Sequence, residues 1–75
     1  MNEIDNLQEA LRFSPDNVPL RKYLANMLLA KERAAEAELE FKTVLKHVPG
    51  DADAKLGLAK AFHTQKKDAL ALVLL

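Results

Sequence analysis

The sequence predicts an all-α fold of about five short antiparallel helices, and three observations carry that prediction. Ala and Leu dominate, while β-branched residues are sparse: one Ile, four Val and two Thr in 75 residues. The turn-forming residues gather in two clusters, Ser14-Pro15-Asp16-Asn17 and Pro49-Gly50-Asp51. Those clusters stand 34 residues apart, and so do many of the apolar positions around them.

The first helix carries Ile4, Leu7, Ala10 and Leu11 on one face, with Glu3, Asp5 and Glu9 on its polar side. The Asn17 side chain can accept from free N–H groups at a helix start, so the second helix begins after it. Pro19 then falls in the first turn, where a missing N–H costs little. Leu20, Leu24, Met27 and Leu28 form the apolar stripe of this helix. Ala37, Phe41, Val44, Leu45 and Val48 form the stripe of the next. Residues 18–48 contain no Gly and only Pro19, so a single continuous helix is the competing reading. The three charges Lys31-Glu32-Arg33 interrupt the stripe and favour two helices with a tight turn near 31–34. Asp51 caps a fourth helix over 52–64, with Leu56, Leu58, Ala59, Ala61 and Phe62 as its apolar residues. Gln65-Lys66-Lys67 breaks that stripe, and Asp68 can cap a fifth helix over 69–75. Connections of only a few residues force neighbouring helices to run antiparallel.

Composition excludes several functions. There is no cysteine, hence no disulfide, thiolate metal site or cysteine nucleophile. His47 and His63 are sixteen residues apart, without the spacing of paired zinc ligands on one helix. Asp51-Ala52-Asp53 lacks the Gly and distal Glu of a calcium loop, and capping accounts for both aspartates. With only Gly50 and Gly57, no phosphate-cradling glycine loop exists. Glu36, Glu38 and Glu40 are spaced two apart and fan around their helix, so they form no catalytic dyad. No cofactor, no metal and no enzyme activity is therefore expected. No stretch approaches the ~20 apolar residues of a membrane span. The acidic, mixed start Met-Asn-Glu-Ile-Asp lacks the form of an export signal, so a cytoplasmic protein is expected.

Shifting the chain by 34 residues places Leu11 on Leu45, Pro15 on Pro49, Leu24 on Leu58, Ala25 on Ala59, Ala35 on Ala69 and Ala37 on Ala71. Leu7 falls on Phe41, Ala10 on Val44 and Leu28 on Phe62. This pattern resembles the tetratricopeptide repeat (TPR) family, whose motif is matched by Leu24, Ala25, Leu28, Ala37, Phe41, Val44 and Pro49, and again by Leu58, Ala59, Phe62, Ala71 and Leu75. The resemblance implies one domain over 1–75, a right-handed superhelix of helical hairpins. Residues 1–17 are a closing half repeat or cap, 18–51 a complete repeat and 52–75 a truncated second one. Arg21 and Lys55 stand where the family favours Trp, and Glu32 and Lys66 where it favours a turn glycine. A non-glycine residue held there at positive φ costs of order 1 kcal/mol. The segment 69–75 is apolar on every side of a helix, so it expects cover from further chain or from a second copy.

Charge is segregated. Residues 1–17 sum to −3, 18–33 to +3, 34–51 to −2 and 52–67 to +3, with Asp68 closing the balance at zero. In the TPR resemblance the basic helices line a concave groove, which implies that Lys22, Tyr23, Asn26 and Arg33 face it from one repeat and Lys60, His63 and Lys67 from the next. Such a groove suits a protein or peptide partner with acidic, extended segments. Lys22 and Asn26 also match the first Lys and Asn of the dicarboxylate clamp of chaperone-binding TPR proteins, whose next Asn falls here at Gly57. The competing function is a targeting or oligomerisation arm of a larger enzyme, such as an AAA-type ATPase, with catalysis beyond residue 75. A net charge of zero, with Tyr23 the sole aromatic beside the groove, argues against nucleic acid.

Overall fold

The computed structural model describes residues 2–67, 69 and 70. Among them stand four helices: α1 (Glu3–Phe13), α2 (Val18–Ala30), α3 (Ala34–His47) and α4 (Ala52–Thr64). The helix expected over 69–75 lies outside the described residues, save for Ala69 and Leu70, which are helical. The competing single helix over 18–48 is not formed; the chain turns between Ala30 and Ala34.

Local chemistry sets each helix start. Asn17 Oδ1 accepts from the Leu20 N–H at 3.0 Å and Asp51 Oδ1 from the Ala54 N–H at 2.9 Å, as the spacing predicts. Asn2 does the same for α1, accepting from the Asp5 N–H at 2.8 Å. Helix α3 starts at Arg33 with no side-chain cap.

The ends of α2 and α4 are built alike. The Glu32 N–H donates to Leu29 O and the Arg33 N–H to Leu28 O, at 3.1 and 2.8 Å. Thirty-four residues on, the Lys66 N–H donates to His63 O and the Lys67 N–H to Phe62 O, at 2.9 and 2.7 Å. This is the Schellman closure, which needs a left-handed residue just past the helix. Glu32 and Lys66 supply it at φ 62° each, the only non-glycine residues at positive φ among those described. Two turns that favour glycine are thus held by long charged side chains.

Helix α1 packs on α2, α2 on α3 and α3 on α4, while α2 also meets α4. The core runs along this stack: Ile4 and Leu11 from α1, Leu24, Ala25 and Leu28 from α2, Ala37, Phe41 and Val44 from α3, and Ala54, Leu58, Ala59 and Phe62 from α4. Ala25 and Ala37 are fully buried, small residues at close crossings. Phe41 is 1% exposed, and its ring lies against the backbone of Gly57. A Cβ placed on Gly57 would clash with Cζ and both Cε carbons of the Phe41 ring. This glycine therefore sits mid-helix, at a propensity cost of about 1 kcal/mol, because nothing larger fits.

Two stability predictions follow from this geometry. Glu32→Gly or Lys66→Gly relieves the left-handed strain of about 1 kcal/mol, raising the thermal midpoint by roughly 4–8 °C in circular dichroism. Gly57→Ala gains helix propensity yet overpacks a rigid core. It is expected to destabilise by about 1–3 kcal/mol, with part of the loss recovered when Phe41→Leu is added.

Candidate interaction surface

Helices α2 and α4 meet side by side, and their outward faces hold a shallow cleft of about 230 Å³. It is lined by Lys22, Asn26, Asp53, Leu56, Gly57 and Lys60. The structure thus brings Lys22, Asn26 and Lys60 together. Asn26 and Lys60 are exposed, and among the described residues neither makes a side-chain hydrogen bond or ion pair. Leu56 is 48% exposed beside them.

Lys22 is differently placed. Its Nζ donates to Asp51 Oδ2 at 3.0 Å and Asp53 Oδ2 at 3.3 Å, tying α2 to the first turn of α4. The hydrogen bond to Asp51 pushes the Lys22 ammonium above its ordinary range, against the opposing effect of burial. Asp51 in turn is held below the usual carboxylate range, first by the Ala54 N–H and then by Lys22. Asp53 is therefore an ion-pair partner, where capping alone was expected of it.

The remaining candidates stand elsewhere. Tyr23 is half exposed at the α1–α2 seam, and its hydroxyl donates to Glu3 Oε1 at 2.9 Å. Arg33 forms a two-pronged contact with Glu36, at 2.8 and 2.7 Å, and lines a separate cleft beside Met27 and the start of α1. His63 is exposed in the last turn of α4. Lys67 donates to Glu38 Oε1 at 3.2 Å. The basic face read from the sequence is thus divided between one shared cleft and several separate ion pairs.

Glu38 is the residue that sequence reasoning passed over. It is 8% exposed, the only buried charged residue among those described. Its carboxylate accepts from Lys42 Nζ at 2.6 Å, Gln65 Nε2 at 2.9 Å and Lys67 Nζ. The Lys42 bond comes first among the causes that lower its pKa to about 2, with Gln65 and Lys67 adding to it against desolvation. The repeat alignment held the signal: positions 4, 38 and 72 are Ile, Glu and Leu, a glutamate in an apolar column. Its neighbours bear out the fan, since Glu36 reaches Arg33 and Glu40 accepts from Arg21 Nη1 at 2.6 Å. Arg21 also donates to Pro15 O at 2.9 Å, so a polar clamp occupies the position where Trp was favoured.

His47 is exposed at the end of α3, with Nδ1 3.0 Å from Thr43 O and Nε2 3.3 Å from Asp16 Oδ1. The Thr43 carbonyl, then Asp16, raises its pKa. Among the described residues, no group of three His, Cys, Asp or Glu could hold a metal ion. No helix among them is long and apolar enough to cross a membrane.

A family model described as tetratricopeptide repeat matches residues 4–60, which takes in α1, α2, α3 and most of α4. No curated protein and no solved structure gives a significant match.

The Glu38 geometry predicts a pH dependence. A carboxyl ionised down to about pH 2 when folded, but only to about pH 4.3 when unfolded, stabilises the fold fully above the higher value. That contribution is lost as pH falls from about 5 through 2. Glu38→Gln should cost about 1–2 kcal/mol at pH 7 and flatten the acid limb of a urea-midpoint profile.

Proposed function

The chain belongs to the tetratricopeptide repeat family, and on that premise we propose that it is an interaction scaffold whose α2–α4 face receives an extended segment of a protein partner. TPR domains generally mediate protein–protein contacts and are typically non-catalytic. The observation that carries the reading is the cleft between α2 and α4, where Asn26, Leu56 and Lys60 stand exposed with no structural task among the described residues. An amide that can both donate and accept suits a peptide backbone. An unpaired ammonium suits a carboxylate, and an exposed leucine suits an apolar side chain.

The attraction for acidic segments rests on fewer cations than the sequence suggests. Lys22 is shared with Asp51 and Asp53, so Lys60 is the cation of this cleft with no described ion pair. A dicarboxylate clamp of the chaperone-binding kind is opposed by the packing. Its second Asn would stand at position 57, where Phe41 leaves no room for a side chain.

Binding to a peptide library is the test. Lys60→Glu should weaken acidic ligands by about 5–10-fold, as expected for loss of one charge contact plus added repulsion. Asn26→Ala should weaken all extended ligands alike. Lys22→Glu should lower the thermal midpoint, because it breaks the tie to α4. A library with no preference for acidic segments, or wild-type affinity in Lys60→Glu, would remove the reading.

A further inference from the structure

The cleft between α2 and α4 contains one ion group with an excess of acid. Lys22 Nζ meets Asp51 Oδ2 at 3.0 Å and Asp53 Oδ2 at 3.3 Å, one ammonium against two carboxylates, which leaves a local charge of −1. The two acids are held very differently. Asp51 caps α4: its Oδ1 accepts from the Ala54 N–H at 2.9 Å while its Oδ2 takes Lys22, and its side chain is 13% exposed. The Asp53 side chain is 82% exposed, and the longer bond to Lys22 is its one contact among the described residues.

An exposed pair of this kind contributes little to a fold, so Asp53 can leave Lys22 at small cost. Asp51 cannot, since it also satisfies a free N–H of its helix. Asp53 lines the same cleft as Asn26, Leu56 and Lys60. A ligand carboxylate that approached Lys22 with Asp53 in place would be the third acid around one ammonium, and like charges at that range repel. With Asp53 turned out to water, the same carboxylate restores the count of two. An acid arriving at Lys60 meets no such competitor, because Lys60 has no ion pair among the described residues. The 34-residue shift sets Lys22 on Leu56 and Asn26 on Lys60, so the two lysines lie on neighbouring helices about one turn out of step. They are separate seats.

We propose that Asp53 is the specificity-determining residue of the α2–α4 cleft: its carboxylate occupies the seat on Lys22 that a second acid of an extended ligand would take. The proposal rests on the reading of this cleft as a peptide site. A segment with one acid binds through Lys60 alone. A segment with two acids must exchange one of them for Asp53 at Lys22, so the natural cleft gains little from the second. Asp53→Asn keeps the shape, removes the competing charge and makes the cleft selective for two-acid segments.

The probes are synthetic ~10-residue Gly-Ser peptides with one leucine and two glutamates at several spacings, each paired with a form in which one glutamate is Gln. Fluorescence anisotropy gives the affinities, and circular dichroism checks each variant. Asp53→Asn should bind the best two-Glu peptide about 5-fold more tightly than the wild type does, and the one-Glu form within about 2-fold. In a Lys22→Gln background that gain should vanish. Should Lys22→Gln lose helicity, the Lys22 Cε signals in NMR take its place: the two-Glu peptide should shift them more in Asp53→Asn than in the wild type. Unchanged or weaker affinity in Asp53→Asn, an equal gain for both peptide forms, a gain that persists without Lys22, or unmoved Lys22 signals would each overturn the proposal. In those cases the reading of the cleft itself stands if Lys60→Glu still weakens binding. Indifference of both wild type and Asp53→Asn to Lys60→Glu would remove that reading, and the proposal with it.

Discussion

The contact of the Phe41 ring with the bare backbone of Gly57 sets the spacing of the molecule. Phe41 is the largest fully buried side chain, lying on the helix that packs against both α2 and α4. Its volume separates the neighbours, and the missing side chain at Gly57 brings α4 back into contact. That approach lets Leu58, Ala59 and Phe62 join the same core as Leu24 and Leu28. It also lets Lys22 reach the cap of α4. One repeat earlier the volumes are reversed, with Leu7 standing for Phe41 and Tyr23 for Gly57. Close packing allows either distribution, provided the sum across the interface is kept.

Polar chemistry is layered onto this packing in a consistent direction. Acids of α3 are met by cations from its neighbours, and the acid at the start of α4 is met by a cation of α2. Among the described residues, no buried side-chain polar atom is left without a partner. Much of the charge segregation along the chain is thus spent between helices. What is left over for a ligand is a mixed cleft holding one unpaired ammonium, an amide and a leucine.

The fold was largely legible because its determinants are local or periodic. Asn17 and Asp51 announce helix starts through their own side chains. The repeat correctly flags Glu32 and Lys66 as residues in glycine positions, and both adopt positive φ. The turn at 31–34 is read from the change of apolar stripe, although no glycine marks it. The surface was less legible because it depends on what lies across an interface. Nothing local to Lys22 says that Asp51 and Asp53 stand opposite, 29 and 31 residues away. Grouping Tyr23, Arg33 and Lys67 with Lys22 treats a helix face as one surface, while each of those side chains leans on a different neighbour. Glu38 was missed because its burial is decided by the lysines and the glutamine that close over it.

The single-sided packing of α1 has a kinetic meaning. Among the described helices, α2 touches three partners and α3 two, whereas α1 rests on α2 alone. In a linear array each unit is held by its own helix energy and its nearest-neighbour interfaces. Detaching α1 breaks one interface and leaves α2, α3 and α4 joined, so it opens at lower free energy than the whole. Its amides are expected to exchange as a separate unit through sub-global opening, ahead of those protected by the Phe41 core.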